Sequence, residues 1–231
     1  MLILVVDTAG ADGGVLLARN ESAAFNPDQT DVLAVHTLEP RKFSQQLILA
    51  INELLQENRL ALADVDAFAV IAGPGSFTGL RVGLSAVKAL AEITGKPIIA
   101  LSRLAVLAAA SETGCSPQVS DTAVHAVLDA GRGEFYHGVY RDSGCTRVSE
   151  SLESLPALQS SVAGIPGRIA VFEPLVFETL HAALNSAPCR ISSLSVREAL
   201  PLALAAWKAK QFTGVAELDA NYLRRMVPKL N

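Results

Sequence analysis

Residues 67–83 read Ala67-Phe68-Ala69-Val70-Ile71-Ala72-Gly73-Pro74-Gly75-Ser76-Phe77-Thr78-Gly79-Leu80-Arg81-Val82-Gly83. The first six are an apolar run with Val and Ile, too short for a helix, and Gly73-Pro74-Gly75 halts it. This is the pattern of a buried strand followed by a tight turn. Gly permits positive φ, Pro74 presets a turn, and Ser76 or Thr78 can cap a helix running from about Gly79 to Thr94. A helix N-terminus offers unpaired N–H groups and partial positive charge, so such a turn can bind an anion or simply punctuate a strand and a helix. The glycine spacing is neither a Walker loop nor a dinucleotide fingerprint.

Outward from this stretch, the chain of 231 residues is half apolar and 18% charged, enough for one large domain or two smaller lobes. A net charge of −4 gives no general attraction for polyanions, so RNA contact needs a local patch or a partner. The opening Met1–Asp7 lacks a basic leader and meets a carboxylate early, which does not fit a signal peptide. No apolar run reaches the ~18 residues of a membrane span. A cytoplasmic protein without membrane association is expected. Cys115, Cys145 and Cys189 are odd in number and widely spaced, which favours reduced thiols over a disulfide or zinc framework.

Residues 2–6 form an apolar strand ending in Asp7-Thr8, and Val15–Ala18 returns as its hairpin partner. Asp7 and Thr8 either hold a phosphate or hydrogen-bond their own turn. A third strand is expected near Val32–Leu38. Phe43–Asn58 places Phe43, Leu47, Ile51, Leu54 and Leu55 at helical spacing, with Ile48 and Leu49 widening the apolar arc. In the helix after the glycine turn, Gly79, Gly83, Ala86 and Leu90 lie along one side, where small residues admit either a second subunit or the helix's own sheet.

Ile98–Leu101 reads as a strand and Leu104–Ala110 as an Ala-rich helix. From Thr122 the opening pattern recurs: Ala123–Leu128 is apolar, Asp129–Gly133 turns, and Glu134–Tyr140 returns, which suggests an internal duplication. Residues 141–168 read as a surface meander. Ile169–Phe172 is a strand, Leu175–Leu184 a helix and Val196–Gln211 a second Ala-rich helix. Leu218, Tyr222 and Met226 share a helical face that can pack back on the first lobe. Arg224, Arg225 and Lys229 make a small basic tail, which reads as a solvated face. The expected lobes are residues 1–103 and 104–231.

His36, His125, His137 and His181 are scattered, with no His-x-x-x-His pair, and no Gly-x-Ser-x-Gly elbow is present. These absences point away from a metal site and from a nucleophilic triad.

The string Gly73–Gly83, with Leu4–Thr8, Asp129–Tyr136 and Tyr222–Arg225 in the same order, resembles the signature of the TsaB (YeaZ) family. Its carriers here are Gly73, Pro74, Gly75, Ser76, Phe77, Thr78 and Arg81. The resemblance implies a two-lobed, actin-like α/β fold with mixed sheets flanked by helices and a degenerate nucleotide site at Asp7, Thr8 and Asp129, the two carboxylates facing a cleft that holds nucleotide poorly. It implies no catalytic residue, no metal and no cofactor. The implied role is an assembly subunit in synthesis of threonylcarbamoyladenosine at position 37 of tRNA. Its partners would be the catalytic subunit TsaD and the ATPase TsaE, or a second copy of the chain, and tRNA is met only through the complex. The implied partner face comprises Leu47, Ile51, Leu54, Gly79, Gly83, Ala86 and Leu90. The family's usual His before Ser44 is Phe43 here, which speaks against a metal role for that segment. The alternative is an enzyme, either a weak actin-like ATPase or a glycoprotease-type peptidase.

Overall fold

A computed structural model describes residues 1–21, 29–114, 123–142, 144–184 and 187–224. Cys115, Arg225, Met226 and Lys229 lie outside the described residues. The chain divides into two compact units: Met1–Val106 with Ser193–Ala220, and Leu107–Ser192 with the chain from Asn221 on.

The first unit is built on a five-stranded mixed sheet of order β3-β2-β1-β4-β5. Its strands are β1 (Leu2–Asp7), β2 (Gly13–Asn20), β3 (Thr30–Leu38), β4 (Ala67–Gly73) and β5 (Ile98–Ser102). β1–β2 and β2–β3 are antiparallel, whereas β4 runs parallel to β1 and to β5. Helix α1 (Phe43–Glu57) crosses from β3 to β4, and α2 (Phe77–Thr94) from β4 to β5. The two helices pack on each other and on the sheet. On the opposite face lies α6 (Val196–Lys208). Neighbouring glycines separate the faces: a Cβ on Gly13 would meet the Phe43 ring of α1, and one on Gly14 would meet Val196 of α6. Cover on both faces explains why β1 and β4 are buried throughout and read as continuous apolar runs instead of alternating ones.

The second unit repeats the topology. Its sheet has the order β10-β9-β6-β7-β8, with β6 (Ala123–Gly131), β7 (Glu134–Arg141), β8 (Thr146–Ser154), β9 (Gly167–Val171) and β10 (Cys189–Arg190). Here too the first three strands are antiparallel and the next two parallel. Helices α4 (Leu155–Gly164) and α5 (Pro174–Ala183) cover one face through Leu158, Val176 and Leu180, which pack on Val127, Phe135, Ile169 and Val171. Helix α3 (Arg103–Gly114) links the units. The expected α/β fold with two mixed sheets flanked by helices is observed, and the duplicated hairpin is one part of a duplicated β-β-β-α-β-α-β-α unit.

Four expectations need correction. Residues 141–168 are not a meander: they contain β8, α4 and the start of β9. The Ser- and Glu-rich sequence of β8 hides an edge strand that is exposed over 146–149 and half-buried over 150–153. Residues Leu218 to Arg224 are not helical, although Leu218 is 1% exposed within the first unit. The stretch 193–220, expected to belong with the second lobe, groups with the first. It does so because α6 lies on β1, β2 and β5, and Thr213 N–H donates to Ile98 O on the free edge of β5. Finally, Cys189 is disulfide-bonded, while Cys145 is free. Pairing by tertiary proximity leaves no mark in local spacing.

Candidate functional site

The glycine turn and the turn after β1 are stitched into one closed knot. Asp7 is 4% exposed, and its Oδ1 accepts the Ala9 N–H at 2.8 Å. Burial pushes its carboxyl above the ordinary range, opposed by the positive charge of Arg103 and by that Ala9 hydrogen bond. Thr8 is fully buried and its Oγ1 donates to the Gly79 carbonyl at 2.7 Å. The Ser76 N–H donates to Ala9 O at 2.8 Å, and Ser76 Oγ caps α2 by accepting the Gly79 N–H at 3.3 Å.

The glycines are there for this approach. A Cβ on Gly75 would lie 2.3 Å from Ala9 O, one on Gly79 2.0 Å from Thr8 O, and one on Gly83 2.3 Å from Thr8 Oγ1. The Phe43 ring fills the space beside Gly13 and Gly79. Arg103, 9% exposed, comes from the start of α3 and abuts Gly10; sequence reading missed it, because no local pattern marks it.

Of the remaining signature residues, Gly73 ends β4 at positive φ and the peptide bond before Pro74 is cis. Thr78 is exposed, and the Arg81 guanidinium carbon lies 3.8 Å from the centre of the half-exposed Phe77 ring, a cation–π contact. Asp129 is exposed in the second unit and accepts the Gly131 N–H at 2.8 Å. Arg224 clamps the same β6–β7 turn, pairing with Glu134 at 2.6 Å and donating to the carbonyl of Ala130, so this member of the basic tail is engaged within its own unit. Among the described residues no group of three or more His, Cys, Asp or Glu side chains is placed to hold a metal ion. No described helix is long and apolar enough to cross a membrane.

The residues expected to form a partner strip lie mostly inside the unit. Leu47, Ile51 and Leu54 are 1%, 3% and 0% exposed and form the inner face of α1. Gly79 and Gly83 face Thr8 inside their own unit, and Ala86 and Leu90 are half-buried. The large apolar side chains left in solvent on the two helices include Ile48 and Leu49 on α1 and Phe77 and Ile93 on α2, at 54%, 62%, 42% and 77% exposure. Periodicity finds an apolar helix face but does not say which of two adjacent stripes the sheet will cover. Beside α1, the edge strand β3 borders a cavity of about 500 Å³ lined by Val35–Glu39 and by Gln46, Leu49, Ala50 and Glu53.

The family model for TsaD, tRNA N6-adenosine threonylcarbamoyltransferase, matches residues 35–171, more than half of the chain. The chain is 31% identical over 141 residues to the tRNA threonylcarbamoyladenosine biosynthesis protein TsaB of Bacillus subtilis and 32% identical over 141 residues to that of Escherichia coli. The match covers 61% of this chain in both cases, and 56% and 55% of those relatives, so it spans little more than half of their length. The solved structure of YeaZ from Pseudomonas aeruginosa superposes with a TM-score of 0.70 at 26% identity, covering 96% of this chain and 99% of that one. This chain belongs to the TsaB/YeaZ family. The Gly73–Gly83 turn, closed on Thr8 and Ala9, is within the part of the chain matched by the family model.

Proposed function

We propose that this chain is a non-catalytic assembly subunit in the synthesis of tRNA N6-threonylcarbamoyladenosine, acting in the cytoplasm by supporting the TsaD transferase together with TsaE. The observation that carries this reading is the closed knot around Asp7. In an actin-like site the carboxylate and hydroxyl after the first strand would serve phosphate or metal; here Asp7 Oδ1 already accepts the Ala9 N–H and the Thr8 hydroxyl already donates to the Gly79 carbonyl. The Phe43 ring fills the adjoining space with an apolar surface that ligates nothing.

The partner surface we propose is the solvent side of the α1–α2 pair. It is centred on Ile48, Leu49 and Ile93, with Ala86 and Leu90 at its margin and Leu47, Ile51 and Leu54 supporting it from within. Exposed apolar side chains on neighbouring helices favour association with a second helical pair, in TsaD or in another copy of the chain. Reconstitution of the tRNA modification with and without this chain tests the reading. Modification should depend on the chain, which alone should turn over neither ATP nor peptides. Intrinsic ATP turnover abolished by Asp7→Ala would overturn it.

A further inference from the structure

Each sheet ends in two edge strands, and an unpaired edge offers a row of N–H and C=O groups to an extended chain. Three of the four edges are guarded. Thr213 N–H donates to Ile98 O on β5, β10 is two residues long, and β8 carries Arg147, Glu150 and Glu153. The remaining edge, β3, is guarded only in its first half, where it carries Asp31 and breaks register with β2 at a bulge. Ala34–Leu38 pairs with Gly13–Leu17 without a break and contains no Lys, Arg, Asp, Glu or Pro.

The direction of the free backbone groups follows from the register. Asn20 N–H donates to Met1 O at 2.8 Å and the Met1 amino group to Asn20 O at 2.7 Å, which makes them a hydrogen-bonded antiparallel pair. Alternation along β2 then turns the backbone groups of Leu16 and Gly14 towards β1, and those of Val15 and Gly13 towards β3. Their partners His36 and Leu38 therefore bond to β2, and the N–H and C=O groups of Val35 and Thr37 point outward. Among the described residues no strand pairs with that edge.

The cavity of about 500 Å³ lies along this segment, between Val35–Glu39 and a stripe of α1 formed by Gln46, Leu49, Ala50 and Glu53. Side chains of a strand added to β3 alternate between the two faces of the sheet, and those level with His36 and Leu38 fall on the α1 side, the side on which Gly13 abuts Phe43. The middle of the groove is apolar, at Leu49 and Ala50. One end is acidic: Glu53 and Glu57 lie 3.6 and 3.2 Å from the His36 ring and pair with no Lys or Arg among the described residues. At the other end Glu39 is already held by Lys42.

We propose that β3 from Val35 on and α1 form a docking groove for an extended segment of a partner protein, which adds as a strand with an apolar side chain over Leu49 and Ala50 and a Lys or Arg two residues away at Glu53 and Glu57. Charge selects this occupant. A second copy paired through its own β3 would bring two sets of these carboxylates to one seam, and a nucleic acid would meet them with its phosphates. The groove is independent of the association assigned above to the α1–α2 face, because it is built on β3 backbone groups and on carboxylates that play no part there.

The probe is the blocked peptide acetyl-Thr-Lys-Thr-Leu-Thr-Lys-Thr-amide, whose symmetric pattern brings a Lys to the acidic end in either strand direction. Titrated into the full chain, it should slow hydrogen exchange of the outward Val35 and Thr37 amides and leave those of His36 and Leu38, already bonded to β2, little changed. The same peptide with Glu in place of Lys should bind at least about tenfold more weakly. Glu53→Lys with Glu57→Lys, at side chains 62% and 57% exposed, should leave the circular dichroism unchanged and reverse that preference. Thr37→Pro removes an outward N–H without touching the ladder to β2, and should weaken binding of the Lys peptide about tenfold. Unchanged exchange at Val35 and Thr37 under about 1 mM Lys peptide, equal binding of the two peptides, or wild-type self-association that Thr37→Pro abolishes would each overturn the proposal.

Discussion

Thr8 Oγ1 hydrogen-bonds the Gly79 carbonyl at 2.7 Å, and the same hydroxyl stands where a side chain on Gly83 would begin. One buried threonine thus fixes the first two turns of α2 against the end of β1. The glycines of α2 serve this contact inside the unit, a role that spacing alone leaves undistinguished from a helix–helix interface.

Gly83→Ala should therefore destabilise the chain by about 1–3 kcal/mol, the range for overpacking a dense site. Gly83→Arg should unfold the first unit instead of releasing a folded monomer. Circular dichroism melts on both variants check this. A stable, folded Gly83→Arg monomer would instead return the glycine to a partner interface.

Leu49→Glu with Ile93→Glu should behave in the opposite way. Both side chains are mostly exposed, so folding stability should shift by no more than about 0.5 kcal/mol per site. Association with TsaD, or self-association, should be lost, because two carboxylates would be desolvated in the contact. Sedimentation velocity on the variant, with and without the transferase subunit, measures both quantities.

Asp7 gives a pH test. Burial raises its folded affinity for a proton, so its contribution to stability is present below the unfolded carboxyl value of about 3.9 and lost as pH rises through the folded value. Asp7→Asn keeps an acceptor for Ala9 N–H and removes the ionisation. Relative to the wild type it should gain stability at neutral pH, with the gap closing in acid. Denaturant titrations at pH 4 and pH 7 decide this; a variant weakened at pH 7 would mean that attraction to Arg103 outweighs burial.

The return of the chain to the first unit also has a local determinant. Ser195 and Glu198 form a capping box at the start of α6, with Ser195 Oγ accepting the Arg197 N–H and Glu198 accepting the Ser195 N–H. Ser195→Ala should lower stability by about 1 kcal/mol. The loss should appear as faster hydrogen exchange in α6 and in β1 beneath it, and not in β6 or β7.

The sequence by itself determined the local elements and the kind of fold. Apolar runs at 2–6, 67–72 and 123–128, the Gly73-Pro74-Gly75 break and the 3.6-residue pattern of 43–58 are short-range signals, and each element formed where its pattern placed it. The recurrence of Val5-Val6-Asp7 as Val127-Leu128-Asp129 likewise revealed the duplication. Tertiary structure alone decided what covers each face. Thr8 and Gly79 are 71 residues apart, and nothing in either neighbourhood announces their hydrogen bond. Which stripe of α1 meets the sheet, the placement of α6 on the first sheet, the pairing of Cys189 and the unpaired outer edge of β3 were set in the same way. Periodicity records that a side chain must leave water, whereas its partner is chosen by long-range packing and hydrogen-bond satisfaction, which only the folded arrangement of both units' elements supplies.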